Sequence, residues 1–288
     1  MGDDFGRLIS KMQKSKFTST DNSKTMSYFL TSKKKNKSFK FNDTYFFSQT
    51  TDRILESSCY HITGQACNLC KYTNELELTH LPEIVFANNQ LKIESKNGKY
   101  INFNTFDAIK MIDNSKYPDF KVSMSEAWVS TRQQYKNLNT SGKPFDWSYT
   151  TFYKGTLSDD VSVIETTEEI DIEKLKQRDP ILEYDSFILY EDELHDNGLS
   201  KLEIKYRIME ERFLVLQRFF LRVDRVIVRV IDTRIYHDIK NPYILREWTY
   251  REQNVRDMSE ECLENIKNED YLSVNLPLIE RKMEQILL

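Results

Sequence analysis

Two groups of residues in this 288-residue chain have types and spacings that could do chemistry. The first is Cys59-x-His61, then Cys67-x-x-Cys70, with His80 further on. Cys-x₂-Cys is the spacing of half a tetrahedral zinc site. No second Cys-x₂-Cys and no His-x₃-His follows to complete it, so the expectation is idle or buried thiols and no bound metal. The second group is Glu191, Asp192, Glu193, His195 and Asp196. Clustered carboxylates beside an imidazole could hold Mg²⁺ or Zn²⁺, or trade protons, which would make a metal-dependent hydrolase. Extended backbone sends Glu191, Glu193 and His195 one way and Asp192 the other. His237 joins them only if the fold brings it close. The plainer reading is a polar cap on a hairpin.

Other catalytic signatures are missing. The chain has 7 Gly and neither a Gly-x-Gly-x-x-Gly nor a phosphate-loop lysine motif. No Ser stands in a Gly-x-Ser-x-Gly elbow. The expectation is a binding protein without a catalytic centre or cofactor. Arg229, Arg234 and Arg246 each offer a planar fork suited to a carboxylate. Each could equally pair with an internal acid such as Asp224, Asp232 or Glu247.

These residues are positioned by the stretch from Phe187 to His237, which reads as four strands split by three short polar breaks. Breaks that short join antiparallel neighbours. Asp196-Asn197-Gly198 is the clearest, because Asn and Gly tolerate the positive φ of a tight hairpin. Leu202, Ile204, Tyr206 and Ile208 alternate with Lys201, Glu203, Lys205 and Arg207, giving one dry face and one wet face. Phe213, Val215, Phe219 and Leu221 occupy one face of the next run, and Leu214, Leu216 and Phe220 the other. A strand apolar on both faces is covered on both sides. In the last run Val226, Val228 and Val230 share a face with Asp232 and Arg234, while Arg229 lies opposite between Ile227 and Ile231. Isolated charges there must pair or lie beside a cleft.

The remaining elements follow from local pattern. Order is expected from Phe41, with Thr44–Thr50 as a first strand. Lys96-Asn97-Gly98-Lys99 turns a hairpin between Gln90–Glu94 and Tyr100–Asn104. A short helix over Phe106–Ile112 takes Asn104 or Thr105 as its cap, with Asp107 in the first turn. Ser123–Gln134 reads as a helix carrying Trp128. Phe145–Tyr153 reads as an aromatic strand and Val161–Thr166 as another. A helix through Ile172 and Leu175 closes before Pro180. Tyr243–Glu252 is a last strand, and Ser259–Asn268 and Leu278–Leu288 are two terminal helices. The expected fold is a single α+β domain over residues 41–288, a two-layer antiparallel β-sheet sandwich with helices at the edges and the C-terminus.

Charge is uneven. Residues 1–43 hold ten Lys/Arg against four Asp/Glu, a net of +6, so the rest carries −10 of the total −4. Residues 1–40 read as a disordered basic arm on an acidic body. That acidity, and an aromatic run at Tyr149 and Phe152 without interleaved basic residues, argue against nucleic acid. No run is long enough for a secretion signal or a membrane span, so a cytoplasmic location is expected, with the nucleus also open, and thiols stay reduced.

Several strings resemble one family. Tyr190–Gly198 (YEDELHDNG), Arg218–Asp224 (RFFLRVD) and Ile231–His237 (IDTRIYH) look like the signature of the TOR signalling pathway regulator family, TIPRL or TIP-forty-one-like. LPEIVFANN from Leu81, FNTFDAI from Phe103, PFDWSYTTFYKGTL from Pro144, IDIEKLKQRDPI from Ile170 and LREWTYRE from Leu245 follow in order. The resemblance runs from about Phe41 to Glu252 and omits the cysteines of the zinc-like group. It implies a non-catalytic regulator that binds the catalytic subunit of type 2A protein phosphatases and feeds into TOR signalling. It implies that Asp107, Ile170, Val230 and Asp232 face the partner. Val230 stands where related chains can carry Met, and the shorter side chain here would loosen that contact. The partner's C-terminal tail would lie beside Val226–Tyr236, gripped by Arg234, Arg229 or Arg246. A Tap/alpha-four-type scaffold is a second implied partner.

Overall fold

The computed structural model describes residues 35–51, 81–112 and 148–288, together with Tyr72, Glu75 and Leu76. Two antiparallel sheets are present. The five-stranded sheet has the order β1-β2-β4-β5-β6, and the eight-stranded sheet has the order β3-β8-β9-β10-β11-β12-β13-β7. The smaller sheet uses β1 (Lys35–Phe41), β2 (Tyr45–Thr51), β4 (Gln90–Ser95), β5 (Tyr100–Asn104) and β6 (Thr156–Leu157). The larger uses β3 (Ile84–Val85), β7 (Ser162–Glu165), β8 (Ile181–Asp192), β9 (Gly198–Met209), β10 (Arg212–Val223), β11 (Ile227–Asp238), β12 (Ile244–Asn254) and β13 (Leu278–Leu287). Short α-helices among the described residues include α1 (Thr105–Lys110), α2 (Ile172–Lys176), α3 (Glu260–Glu264) and α4 (Glu269–Asn275). The expected sandwich with peripheral helices is what forms.

The main core lies between the sheets. Phe41, Tyr45 and Phe47 from the small sheet meet Phe213 and His237 of the large one. The rings cross edge to face at 4.9–5.8 Å, the arrangement the ring quadrupole favours. Strand β10 is apolar on both faces as expected. Phe213, Val215, Phe219 and Leu221 enter this core, and Phe220 enters a second cluster on the outer face.

Several sequence expectations change. The sheet begins at Lys35, ahead of Phe41. The β8–β9 turn places its left-handed residues earlier than expected, at Leu194, His195 and Asp196, with φ of 49°, 55° and 63°. Gly198 is needed for a different reason: a Cβ there would lie 1.9 Å from the Arg222 carbonyl oxygen across the β9–β10 ladder. Ser148–Tyr153 is not a strand, although it is almost wholly buried; Tyr149 adopts φ 56° and breaks the extended run. Leu278–Leu287 is a strand rather than a helix, paired with β12 on one side and β7 on the other. Good helix formers lose there to the ladder bonds and to the burial of Ile286. Helix α4 was not anticipated, while α3 falls within the expected Ser259–Asn268 helix. The helix proposed over Ser123–Gln134 and the cysteine group at 59–70 with His80 lie outside the described residues.

Candidate partner-binding face

Alternation along β11 divides the candidate residues between two faces. Val228, Val230, Asp232, Arg234 and Tyr236 point to the outer face, and Ile227, Arg229, Ile231 and Ile235 point to the inter-sheet core. Register then carries the outer face across the sheet. Asp232 lies opposite Arg218 on β10 and Thr249 on β12; Arg234 lies opposite Leu216 and Glu247.

Two pieces of chain cover the ends of this outer face. At one end Phe220, Val228 and Val230 pack under Met258, Cys262, Leu272 and Leu276 of the C-terminal helical segment. At the other end Ile170, leading into α2, packs on Tyr236 and Leu245. Between the covers runs a stripe of paired charge. Arg218 donates through Nε and Nη2 to the two carboxylate oxygens of Asp232 at 2.7 and 2.8 Å, and both side chains are only 2% exposed. The third guanidinium nitrogen of Arg218 reaches Asp270 of α4 at 2.6 Å. Burial alone would lower the Arg218 pKa; its bonds to Asp232 and Asp270 more than offset that, and the pKa is raised. Arg234 donates to Asp232 at 3.0 Å and to Glu247 at 2.8 Å. Arg281 of β13 donates to Glu247 at 2.8 Å and to Glu169 at 2.7 Å. The stripe is thus a chain of alternating charges with its polar atoms largely spent on each other.

The residues expected to grip one peptide do not share one face. Arg234 is on the outer face and 24% exposed. Arg229 points inward, where it donates to Glu252 and to Thr150 at 2.6 Å and stacks its guanidinium 5.7 Å from the Tyr250 ring centre. Arg246 also points inward, since it pairs with Ile235, and it donates to Glu284 at 2.6 Å. Each arginine has an internal acid; only for Arg234 are these the anticipated Asp232 and Glu247. Asp224 instead accepts from Arg222.

Val230 and Ile170 are buried, at 1% and 5% exposure, Val230 beneath the C-terminal cover and Ile170 as part of the other cover. Asp107 belongs to the other sheet's periphery. It sits in the first turn of α1, where the Asn104 side chain caps its backbone N–H and donates to its carboxylate at 2.7 Å, and the Thr156 hydroxyl donates to it as well. The structure joins Asp232 and Arg234 in one network and leaves Asp107, Arg229 and Arg246 outside it.

Among the described residues the acidic hairpin builds a turn cap and gathers no cluster with His237. Asp192 is buried and accepts from the backbone N–H of Glu83 at 3.0 Å and of Leu194 at 2.7 Å, which caps the turn. Burial pushes the Glu191 carboxyl up, with Lys201 opposing and Glu193 adding to the rise. His237 pairs with Phe213, whereas Ser200, beside Asp192, pairs with Leu221. That places the two sites about 27 Å apart along β10, from eight residues of strand rise. Among the described residues no group of three or more His, Cys, Asp or Glu side chains is placed to hold a metal ion.

A profile of the TIP41-like family matches residues 84–259, more than half of the chain. The chain belongs to the TIP41-like family. A TIP41-like protein of Caenorhabditis elegans is 41% identical over 252 residues, covering 86% of this chain and 89% of that one. A human TIP41-like protein is 38% identical over 236 residues, covering 81% and 86%. A Saccharomyces cerevisiae protein named type 2A phosphatase activator TIP41 is 36% identical over 231 residues, covering 72% and 65%. The family match spans the outer-face stripe from Arg218 to Glu247, but not Asp270 and Arg281, which tie the stripe to the C-terminal segment.

Arg218, Asp270 and Arg281 are not singled out by the sequence pattern. Arg218 did carry a signal: an arginine between Leu216 and Phe220 on the same face of the strand has to be paired if that face is covered. Its partner lies 14 residues away and becomes visible only through the β10–β11 register.

Proposed function

We propose that this chain is a non-catalytic regulator that binds the catalytic subunit of type 2A-like protein phosphatases and acts on their assembly or activity in TOR signalling, in the cytoplasm. The observation that carries the reading is membership of a family in which two yeast proteins, at 36% and 35% identity, are named type 2A phosphatase activators. The fold supports a binding role. Its outer sheet face holds a pre-built, ion-paired stripe between two apolar covers, a surface on which an extended acidic-ended peptide can exchange its carboxylate for Glu247 or Asp232 on Arg234. Asp107, Ile170 and Val230 join that interface if the partner also reaches the second sheet and displaces the covers. A Tap/alpha-four-type scaffold is a further partner.

The test is calorimetric titration of the purified chain with a type 2A catalytic subunit and with its C-terminal tail peptide, free and amidated. Binding of the subunit with a several-fold loss on Arg234→Gln is expected. No binding to the subunit at all sinks the proposal; normal binding by the Arg234 variant moves the interface elsewhere on the surface.

A further inference from the structure

Strand β8 is the outermost long strand at one end of the eight-stranded sheet. β9 pairs with it from Ile181 to Asp192, but on the other side β3 meets it only at Tyr190 and Glu191. Among the described residues, Ile181–Phe187 has no strand on that second side. Three large apolar side chains stand exposed here: Ile181 at 56%, Leu182 at 58% and Tyr184 at 61%. Open edges are commonly blunted by lysine or proline. β1, an edge of the smaller sheet, follows that rule and shows Asn36, Lys37, Ser38 and Lys40 to solvent. β8 follows it only at its start, where Pro180 precedes Ile181.

The backbone determines which groups are available. In an extended chain the N–H and C=O of one residue point to the same side, and successive residues alternate. Two side-chain bonds mark the open side. Asn89 donates through Nδ2 to the Ile188 carbonyl at 2.7 Å, and the Ser186 N–H donates to the Asp185 carboxylate at 2.9 Å. Even-numbered residues therefore face outward. The N–H and C=O of Tyr184 and the C=O of Ser186 are left for an added strand.

The two faces of this edge differ in charge. Pairing with Ile208 and Tyr206 turns Glu183 and Asp185 to the inter-sheet side, where Lys37 donates to both, at 3.1 and 2.9 Å. Two partly exposed carboxylates thus share one lysine. Tyr184 turns to the outer face opposite Arg207, and Ser186 lies opposite Lys205. An added strand meets acid on one face, and an apolar ring beside cations on the other. A second copy of this chain fits poorly. Antiparallel twofold pairing about Tyr184 puts each Glu183 opposite the other copy's Asp185, like charge against like.

We propose that the Glu183–Phe187 edge of β8 is a docking site for an extended protein segment in which Lys or Arg alternates with aliphatic residues. The segment adds as a strand beside β8. Its backbone bonds to Tyr184 and Ser186, its cations reach Glu183 and Asp185, and its aliphatic side chains cover the Tyr184 ring. β9 and β10 separate this edge from Arg234 on β11, so the site stands independently of the outer-face stripe.

The experiment titrates the full chain into a fluorescent synthetic peptide of alternating Val and Lys, read by anisotropy. The controls are a Val/Glu peptide and the Val/Lys peptide N-methylated at alternate residues. Tyr184→Pro deletes an N–H that faces away from β9, so the β8–β9 ladder keeps its bonds. Saturable binding of the Val/Lys peptide is expected. It should weaken about tenfold on Tyr184→Pro or on N-methylation, and several-fold on Glu183→Gln, whose side chain is partly exposed. Absence of saturable binding overturns the proposal. So does equal binding of the Val/Glu peptide, or Val/Lys binding that Tyr184→Pro and Glu183→Gln both leave unchanged. Self-association in sedimentation velocity that Tyr184→Pro abolishes overturns it too, because the edge then belongs to a second copy.

Discussion

At the residue scale, the outer-face stripe contains charges of unequal weight. Asp232 is the only described carboxylate bonded to Arg218 on the sheet itself, and both are buried. Replacing it by Ala leaves a buried guanidinium fork facing nothing, which should cost about 3–5 kcal/mol of stability in urea unfolding. Arg234→Ala should cost about 1 kcal/mol or less, because Asp232 keeps Arg218 and Glu247 keeps Arg281. Equal costs for the two would contradict this network. His237 makes a different statement. Its Nδ1–H donates to the Tyr243 carbonyl at 2.9 Å, and burial among Phe41, Tyr45 and Phe213 lowers its pKa below 6.5. The unfolded chain then binds a proton that the folded chain refuses. Stability should therefore fall as pH drops through 6.5, and His237→Phe should remove that part of the slope. Much of this was legible beforehand: period-two alternation put Arg229 opposite Asp232 and Arg234. What alternation along one strand cannot give is the neighbour's register, so Arg218, and the inward side of Arg246, stayed hidden.

At the element scale, the four central strands and the short capped helix α1 followed from pattern because local preference and tertiary context agree there. Asn104 caps α1, as its position ahead of Asp107 suggested. Strand β13 is the counterexample. LIERKMEQIL is rich in helix formers, and its strand state is imposed by two neighbours that sequence does not show. Only part of it is paired on both sides: Glu284–Ile286 lie between β12 and β7, while Leu278 and Ile279 are exposed on an edge. A proline at Gln285 should therefore be far more destabilising than one at Ile279, since an interior strand position loses ladder bonds and an edge position does not. A helix would penalise both. The terminal strand β1 gives a parallel case: nothing in KNKSFKF advertises burial beyond its two phenylalanines, yet Phe41 is 2% exposed against Phe213.

At the scale of the whole molecule, the two-layer sandwich was readable because alternating apolar faces leave antiparallel sheets few ways to be covered. The irregular buried segment Ser148–Gly155 was not, because its role is to thread between layers rather than to repeat a pattern. Its contacts, Tyr153 to the small sheet and Thr150 to Arg229 of the large one, tie the two together. The stretch ahead of Lys35 is rich in Lys and Ser and poor in apolar residues. A chain starting at Lys34 should melt within a few degrees of the full chain in calorimetry. One starting at Asn42 should melt well below it, because it loses β1 and the Phe41 side of the inter-sheet core. Similar melting of the two would mean that β1 adds little to the sandwich.

Two of the stripe's arginines also act as clasps. Arg218 reaches up to Asp270 on one cover, and Arg281 reaches to Glu169 beside the other. Both carboxylates are largely exposed, at 81% and 66%, so both clasps are within reach of dissolved ions. The width of the trough between the covers is thereby coupled to ionic strength. Added salt loosens both flaps together while the ladder beneath them holds. Hydrogen exchange at Leu272 and at Leu175 should accelerate in parallel as salt rises, with the amides of β10 and β11 unchanged.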